Sequence, residues 1–154
     1  MSYLFKALPA DVCAAWRAGA PDANGQPPER VVSDGGNPCR CCLDEISKGQ
    51  GMLILACRPF TAINPYAEIG PIFLCETCER HADSAVLPPV LAHRPRHLLK
   101  GYSKDHRIVY GTGEIVDTAD IDDYFARTFA RAEVAYVHAR SASNNCYTLK
   151  IARA

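Results

Sequence analysis

The sequence lacks a net charge. Lysine and arginine together number 17, and aspartate and glutamate together also number 17. A chain that attracts nucleic acid through its overall electrostatic field carries an excess of basic residues. The balance therefore argues against nucleic acid as a partner.

The sequence also lacks a long apolar run. No stretch reaches the roughly 18 apolar residues of a membrane-spanning helix, so we expect no membrane partner. Near the amino terminus Lys6 and Asp11 interrupt the apolar residues, unlike the continuous apolar centre of a secretion signal. We therefore expect a cytoplasmic protein, in a compartment where thiols stay reduced.

Several catalytic motifs are missing as well. The chain contains no Walker loop, no dinucleotide-binding fingerprint, no HExxH and no GxSxG. The classes of enzyme that these motifs identify have no support in the sequence. Whether the protein is an enzyme of another kind stays open.

The chain does contain enough apolar residues for a core. Hydrophobic residues make up 48% and charged residues 22%, a balance typical of globular rather than disordered chains. A length of 154 residues is that of one domain. We expect residues 1–154 to form a single domain.

Two segments have the pattern of packing helices. The first follows Pro9, whose fixed φ suits a helix start, and ends before Gly19. In the second, apolar residues repeat at helical spacing from Ile121 to Ala132, after an acidic first turn that complements the helix dipole.

Strands are predicted more often than helices. Met52–Cys57 and Ile72–Leu74 are apolar runs, and Val134–Arg140 with Cys146–Ile151 predicts a hairpin with a five-residue connection. Three prolines within residues 81–100 predict irregular structure there. Because strands and helices do not alternate regularly, the pattern predicts an α+β fold with mostly antiparallel sheet.

Two cysteine-rich loops carry the most specific chemistry. Four of the eight cysteines form CxxC pairs, Cys39 with Cys42 and Cys75 with Cys78. Two thiolates at this spacing can face one ion from a tight turn, and two such turns complete a tetrahedral shell of four sulfurs for zinc. The spacing therefore predicts a structural zinc site in this pair of loops.

Other ligand sets stay open. Cys41 can replace Cys42, and His81 lies three residues after Cys78. The glycine that often follows a metal loop's second cysteine is replaced by Leu43 and Glu79. Free cysteines are also common in protein cores, so the thiols can be packing residues without a metal.

A redox function is an alternative for the second pair. Cys75 and Cys78 follow a predicted strand, and a helix that began there would lower a thiol pKa and activate it for disulfide exchange. Glu76 and Glu79 oppose this because negative charge favours the thiol over the thiolate. A CxxC oxidoreductase thus remains a second hypothesis.

The carboxy-terminal hairpin offers a nucleophile. Cys146 can attack a substrate, His138 can serve as its base, and Asn145 can orient the base or donate to an oxyanion. This set predicts a thiol-dependent hydrolase or transferase. It requires a hairpin register that brings His138 next to Cys146.

Two arginine-containing sets suggest ligand binding. Arg107 and Arg140, with the backbone of residues 111–113, can hold a small anion. A local basic patch is the remaining route to nucleic acid, through Arg94, Arg96, His97 and Lys100.

Four segments of the chain resemble a known bacterial family. PCRCCL, RPFTAINPYAEIGPIF, RIVYGTG and AYVHARSASNNCYTL are similar to the family called domain of unknown function 1203, and the resemblance extends from Leu4 to Ile151. It implies no mechanism. It implies that a shared activity would use Cys39 and Cys146, and that a four-cysteine site belongs to a subgroup. We expect a soluble module that binds a small ligand or a protein and carries a structural zinc.

Overall fold

The computed structural model describes residues 2–154. The strands and helices of this range are β1 (Tyr3–Lys6), α1 (Ala10–Arg17), β2 (Glu29–Val32), β3 (Asn37–Pro38), β4 (Glu45–Ile46), β5 (Gly51–Cys57), β6 (Gly70–Cys75), α2 (Pro89–Ala92), β7 (Arg96–Tyr102), β8 (Glu114–Asp117), α3 (Ile121–Phe129), β9 (Tyr136–Ser141) and β10 (Tyr147–Arg153). The named strands pair only in antiparallel fashion within the described range. The predicted α+β fold is confirmed. None of the helices in residues 2–154 has both the length and the apolar character that crossing a membrane requires.

The larger sheet has five strands in the order β1-β10-β9-β7-β8. β9 and β10 form the predicted hairpin, in which Ile151 pairs with Val137. Because apolar residues return every three or four positions along α3, Phe125 and Phe129 face the same side and join the buried cluster of this sheet. The predicted helix at this place is therefore confirmed, and it supplies much of the larger core.

The expectation of irregular structure over residues 81–100 is wrong for the last part of that range. β7 begins at Arg96, directly after Pro95, and lies between β9 and β8. Pro95 precedes the strand, so its missing N–H removes no hydrogen bond from the sheet, and its carbonyl accepts one from Thr118 N at 2.9 Å. The short helix α2 likewise begins at a proline, where no N–H is needed.

A smaller sheet has the order β2-β5-β6, and β3 pairs with β4 in a separate two-stranded ribbon. β5 and β6 contain the two predicted apolar runs, and Leu53 of β5 pairs with Leu74 of β6. The predicted helix α1 packs on this part of the chain through Cys13 and Trp16. The second buried cluster is rich in sulfur, with buried thiols at Cys13, Cys39, Cys41, Cys57 and Cys75.

The two sheets meet at the first cysteine loop and the start of β10. Arg40 Nε donates to the carbonyl of Tyr147 at 2.7 Å. Tyr147 is the first residue of β10 in the larger sheet, yet its ring is buried in the sulfur-rich cluster. This junction places the cysteine loops next to the hairpin turn.

Candidate metal centre and the neighbouring cleft

Four sulfur atoms converge between the two CxxC loops. The Sγ atoms of Cys39, Cys42, Cys75 and Cys78 all lie within 4.8 Å of one another. The Cys39 and Cys78 sulfurs are 3.8 Å apart, and the Cys42 and Cys75 sulfurs are 3.9 Å apart. A tetrahedral ion with bonds of about 2.3 Å separates its sulfur ligands by about 3.8 Å. The two measured distances match opposite edges of such a tetrahedron, so the cluster can hold a metal ion.

The first loop is shaped by backbone hydrogen bonds. Leu43 N donates to Cys39 O at 3.1 Å, and Cys39 N donates to Asp44 O at 2.9 Å. Leu43 has a φ of 55°, the left-handed conformation for which glycine is usual. Its side chain is fully buried in the larger core, and that burial offsets the backbone strain. A loop without glycine therefore still brings Cys39 and Cys42 together.

The second loop is held beside the first by β6. Arg40 N donates to Phe73 O at 3.1 Å, and Cys39 forms a parallel bridge with Phe73. β6 then ends at Cys75, and Glu76 N donates to Gly51 O at 3.0 Å. The sheet thus fixes the separation of the two loops.

Hydrogen bonds to sulfur favour negative charge on the cluster. Cys39 Sγ accepts from the backbone N–H of Cys75 at 3.3 Å and from that of Cys41 at 3.4 Å. Arg17 Nη2 donates to Cys78 Sγ at 3.0 Å. Donors of this kind support thiolate ligands around a cation.

The thiols share their protons unevenly. Hydrogen bonds with Cys42 and Cys75 hold the pKa of Cys39 well below its ordinary value. The hydrogen bond with Cys39 raises the pKa of Cys75 and, likewise, that of Cys78. Thiol ligands bind a metal as thiolates, so uptake of an ion by this cluster releases protons.

The alternate ligands lie outside the cluster of four sulfurs. Cys41 is buried, and a hydrogen bond with Cys13 lowers the pKa of the Cys41 thiol to about 3. His81 N donates to Cys41 O at 2.8 Å, but neither imidazole nitrogen belongs to the group of mutually close ligand atoms. Among the described residues, the geometry favours Cys42 over Cys41 as the fourth ligand.

The positions of the sulfur atoms are also relevant to the hypothesis that Cys75 and Cys78 form a redox-active pair. All eight cysteines lie within residues 2–154, and none of them forms a disulfide there. The contacts of 3.8 Å and 3.9 Å join one loop to the other rather than the two thiols of one CxxC pair. Closure of a disulfide between Cys75 and Cys78 would take two sulfurs out of the cluster, so redox exchange and metal binding compete for the same atoms.

A cleft of about 740 Å³ opens beside the first cysteine loop. We call it the main cleft, and it is lined by Gly36, Asn37, Pro38, Arg40, Pro71, Phe73, Arg94, Pro95, Arg96, His97, Ile115, Ser141, Ala142, Ser143, Asn144, Cys146 and Thr148. Cys146 also lines a smaller cleft of about 190 Å³ together with Glu68 and Arg140. The main cleft has the size of a small-molecule site.

The hairpin register does not pair the predicted nucleophile with its predicted base. His138 lies opposite Lys150, whereas the carbonyl of Cys146 accepts a hydrogen bond from Ser141 N at 2.9 Å. The Cys146 thiol is partly buried and donates to Asn144 O at 3.7 Å. No hydrogen bond within residues 2–154 joins His138 to Cys146, and their catalytic roles stay a prediction.

His138 has the surroundings of a buried core residue. It is 1% exposed, and its ring contacts those of Phe60, Tyr102, Tyr136 and Tyr147. Burial, followed by the nearby charge of Arg140, lowers its pKa well below the ordinary value. The imidazole is therefore neutral near neutral pH.

Asn145 and Arg140 shape the hairpin turn. Asn145 has a φ of 59°, a conformation that asparagine tolerates better than most residues. Its carbonyl accepts a hydrogen bond from Arg140 Nη1 at 3.1 Å. Arg140 is buried and forms an ion pair with Glu68. Arg107, by contrast, is exposed and stacks on the ring of Tyr66 at 5.5 Å, so the two predicted anion ligands have different partners.

The predicted basic patch is largely paired. Arg94 forms an ion pair with Glu45, and Arg96 lies 3.6 Å from Asp117. His97 is buried, and its Nε2 lies 3.0 Å from Leu91 O. Lys100 lies 4.0 Å from Glu68. The charges of this run are thus balanced or enclosed within the described part of the chain.

Arg40 is the residue that the sequence reasoning missed. It is 3% exposed and lies in the first cysteine loop, where its Nη1 donates to Pro38 O at 2.6 Å. Burial lowers its pKa to about 10, whereas the negative charge of a Cys146 thiolate would act in the opposite direction. Only the cysteines of this motif were predicted to be functional residues. A charged residue between predicted metal ligands could have indicated that Arg40 is held in a buried position.

The comparisons with known proteins match the chain to a family model. The model of a family described as Protein of unknown function (DUF1203) matches residues 36–153. Neither the curated proteins nor the solved structures gave a match. The matched range covers most of the chain, including both cysteine loops, the main cleft and the hairpin. The chain therefore belongs to this family of proteins of unknown function, as the resemblance of its sequence segments predicted.

Proposed function

We propose that the chain is a cytoplasmic ligand-binding domain in which a structural zinc ion, held by Cys39, Cys42, Cys75 and Cys78, keeps the main cleft in shape. The observation that carries the proposal is the pair of sulfur separations of 3.8 Å and 3.9 Å at opposite edges of the cluster. Four cysteine ligands form a closed shell with no position for substrate, which is typical of structural rather than catalytic zinc.

The size of the expected effect supports a structural role. Binding of structural zinc releases roughly 10–16 kcal/mol, which is comparable to a whole domain's stability of roughly 5–15 kcal/mol. The elements around the loops are short, since β3 and β4 have two residues each. Such elements bury little apolar surface of their own. A bound ion would supply the stabilising free energy that this small burial does not provide.

The first cysteine loop also forms part of the wall of the main cleft. Arg40 lies between Cys39 and Cys42 and lines the main cleft. Hydrogen bonds to Pro38 O and Tyr147 O hold its guanidinium in place. Phe73, which precedes Cys75 by two residues, lines the same cleft. An ion that fixes both loops therefore fixes one wall of the cleft.

Metal analysis tests the zinc assignment. We expect protein purified without added metal to contain one zinc per chain, and a thiol-reactive mercurial to release that zinc. Cys41→Ser is the matched control because it removes a neighbouring thiol outside the cluster. A folded wild-type protein without bound metal would contradict the proposal. One iron per chain would keep the sulfur shell but overturn zinc.

A thiol-dependent enzyme is the second candidate because Cys146 lines both clefts and lies near Arg40. Iodoacetamide labelling near pH 7 tests it. A catalytic thiol should react much faster than the other seven cysteines, and Cys146→Ala should remove the fast phase. Labelling of Cys146 at the rate of an ordinary exposed thiol would speak against this candidate.

A further inference from the structure

Three arginines line the main cleft, and they differ in how their charge is balanced. Arg94 pairs with Glu45, and Arg96 pairs with Asp117. Arg40 has no carboxylate within 4.0 Å among residues 2–154, although it is the most buried of the three. The cleft thus contains one enclosed cation without a carboxylate partner among the described residues.

The hydrogen bonds of Arg40 leave one side of the guanidinium free. Nε donates to Tyr147 O, and Nη1 donates to Pro38 O. Nη2 donates to no residue of the described chain, and it is not among the atoms shut off from solvent without a partner. Nη1 has a second N–H besides the one given to Pro38 O, so a molecule in the main cleft, which Arg40 lines, has donors on both Nη2 and Nη1.

The neighbouring groups do not replace an anion. Two carbonyl oxygens and the ring of Phe73, 5.6 Å from the guanidinium carbon, solvate the cation without neutralising it. Negative charge on Cys39 and Cys146 acts on Arg40 through space, but the arginine that donates a hydrogen bond to the thiol cluster is Arg17. A buried charge is costly unless it is paired, so the site favours an anionic ligand.

The remaining lining of the main cleft indicates which chemical groups the anionic ligand would have besides its charge. The apolar part of the lining consists of Pro38, Pro71, Phe73, Pro95 and Ile115, of which Pro38 and Phe73 contact Arg40 directly. An apolar wall of this extent fits the hydrocarbon body of an organic molecule rather than a bare inorganic ion.

We propose that the main cleft binds a small organic carboxylate, with its carboxylate group on Nη2 and Nη1 of Arg40 and its apolar body against Phe73. A planar guanidinium with two parallel donors matches the two oxygens of a carboxylate. The proposal rests on the proposed ligand-binding function and names its ligand class. It does not depend on which metal fills the cysteine cluster.

Calorimetric titration with benzoate, benzamide and phenyl phosphate at constant ionic strength tests the proposal. Benzoate and benzamide have similar shape, and only benzoate carries a negative charge at pH 7. We expect benzoate to bind more tightly than benzamide by about 10-fold or more, the factor for a hydrogen bond to a charged group. The amide signals of the residues around the cleft should shift in NMR spectra when benzoate is added.

Two pairs of variants locate the binding site. Arg40→Gln should weaken benzoate binding by about 10- to 100-fold, whereas Arg127→Gln, which removes an exposed charge paired with Glu114 outside the main cleft, should change it by less than about twofold. Because Arg40→Gln can disturb the fold, a rim pair provides an independent test. Ser143→Glu places a negative charge at the cleft and should weaken binding by about fivefold, while Ser143→Gln should not.

The outcomes separate the two levels of the proposal. Equal binding of benzoate and benzamide would leave a ligand-binding cleft but overturn the carboxylate assignment. Tighter binding of phenyl phosphate than benzoate would replace the carboxylate with a phosphate. No binding of any of the three compounds, or binding that none of the four variants changes, would overturn the main cleft as the ligand site. Zinc content measured on the same samples is independent of all these results.

Discussion

The two buried clusters of the molecule are built from different chemistry. The cluster at the five-stranded sheet contains Phe5, Phe125 and Phe129 and is almost entirely hydrocarbon and aromatic. The cluster at the three-stranded sheet contains five buried thiols, with Cys42 and Cys78 packed at its edge. The first can be stable through apolar burial alone, whereas the second brings together polarisable groups that gain most from a shared cation.

The cysteine loops differ from the larger sheet in the length of their elements as well. The larger sheet has strands of up to seven residues and the nine-residue helix α3. The cysteine loops depend on two-residue strands and a few backbone hydrogen bonds. Short elements lose conformational entropy on ordering and recover little of it by burial. We therefore expect the two parts of the molecule to respond differently to the loss of a sulfur atom in the cluster and to the loss of apolar packing.

Removal of one sulfur ligand should have the largest effect. We expect Cys75→Ser to abolish metal binding and to lower the free energy of unfolding by more than about 4 kcal/mol, since loss of a metal belongs to the most destabilising classes of change. Elemental analysis and chemical denaturation measure both effects. Cys41→Ser should retain the metal and cost only about 1 kcal/mol.

The same variant tests whether the loss is local. Hydrogen exchange of the Cys75→Ser protein should speed up in β5, β6 and the cysteine loops, while the backbone amides of β9 and β10 keep their protection. Uniform loss of protection across both sheets would show that the two clusters unfold as one unit, and the contrast between them would then be wrong.

Leu43 allows a second test because it lies in the first cysteine loop but packs in the larger core. Leu43→Ala should destabilise the protein by about 2–5 kcal/mol, as expected for a buried leucine. Leu43→Gly should be about 1 kcal/mol more stable than Leu43→Ala, because only glycine adopts the φ of 55° without strain. Thermal or chemical denaturation measures the order, and alanine as the more stable variant would contradict it.

His138 gives a smaller, pH-dependent effect in the larger core. Burial, then the charge of Arg140, depresses its pKa in the folded protein, while the unfolded chain takes up a proton near pH 6.5. The unfolded state therefore binds more protons as the pH falls below about 6.5, and stability decreases there by up to about 1.4 kcal/mol per pH unit from this histidine. Above that pH its contribution is constant.

The variant His138→Phe should flatten this dependence. Denaturation curves at pH 5.5 and pH 7.5 give the change in stability for wild type and variant. We expect a smaller loss on acidification in the variant. His97, whose pKa is also lowered by burial, should still contribute, so His97→Phe serves as the parallel control. An equal pH dependence of wild type and His138→Phe would show that His138 does not titrate as its burial indicates.

Much of the fold followed from local patterns. The period of apolar residues predicted α3, the spacing of Pro9 and Gly19 predicted α1, and the turn residues 141–145 predicted the hairpin of β9 and β10. β7 was missed because its alternation is masked by Pro95 and by the polar side chains of Arg96 and Lys100. The large sheet supplies partners on both sides of β7, and that tertiary pairing overrides the weak local preference.

In the candidate site, too, local spacing predicted some features and the tertiary structure decided the others. CxxC spacing by itself brought Cys39 together with Cys42 and Cys75 together with Cys78, since two residues suffice for a tight turn. The choice of Cys42 over Cys41 depends on which sulfur faces the other loop, and neighbouring residues in a loop can point to opposite sides. His138 and Cys146 required a register, which the bulge between Tyr147 and Leu149 helps to set.

The sequence by itself determined the two cysteine loops, the helices and the antiparallel hairpin, because these depend on residues that are close along the chain. The tertiary structure alone decided that the two loops meet, that Leu43 takes the place of a glycine, and that Arg40 lies buried at a cleft without a carboxylate. Contacts between distant segments depend on how whole sheets pack, and that packing is a sum of many weak terms that no short motif contains.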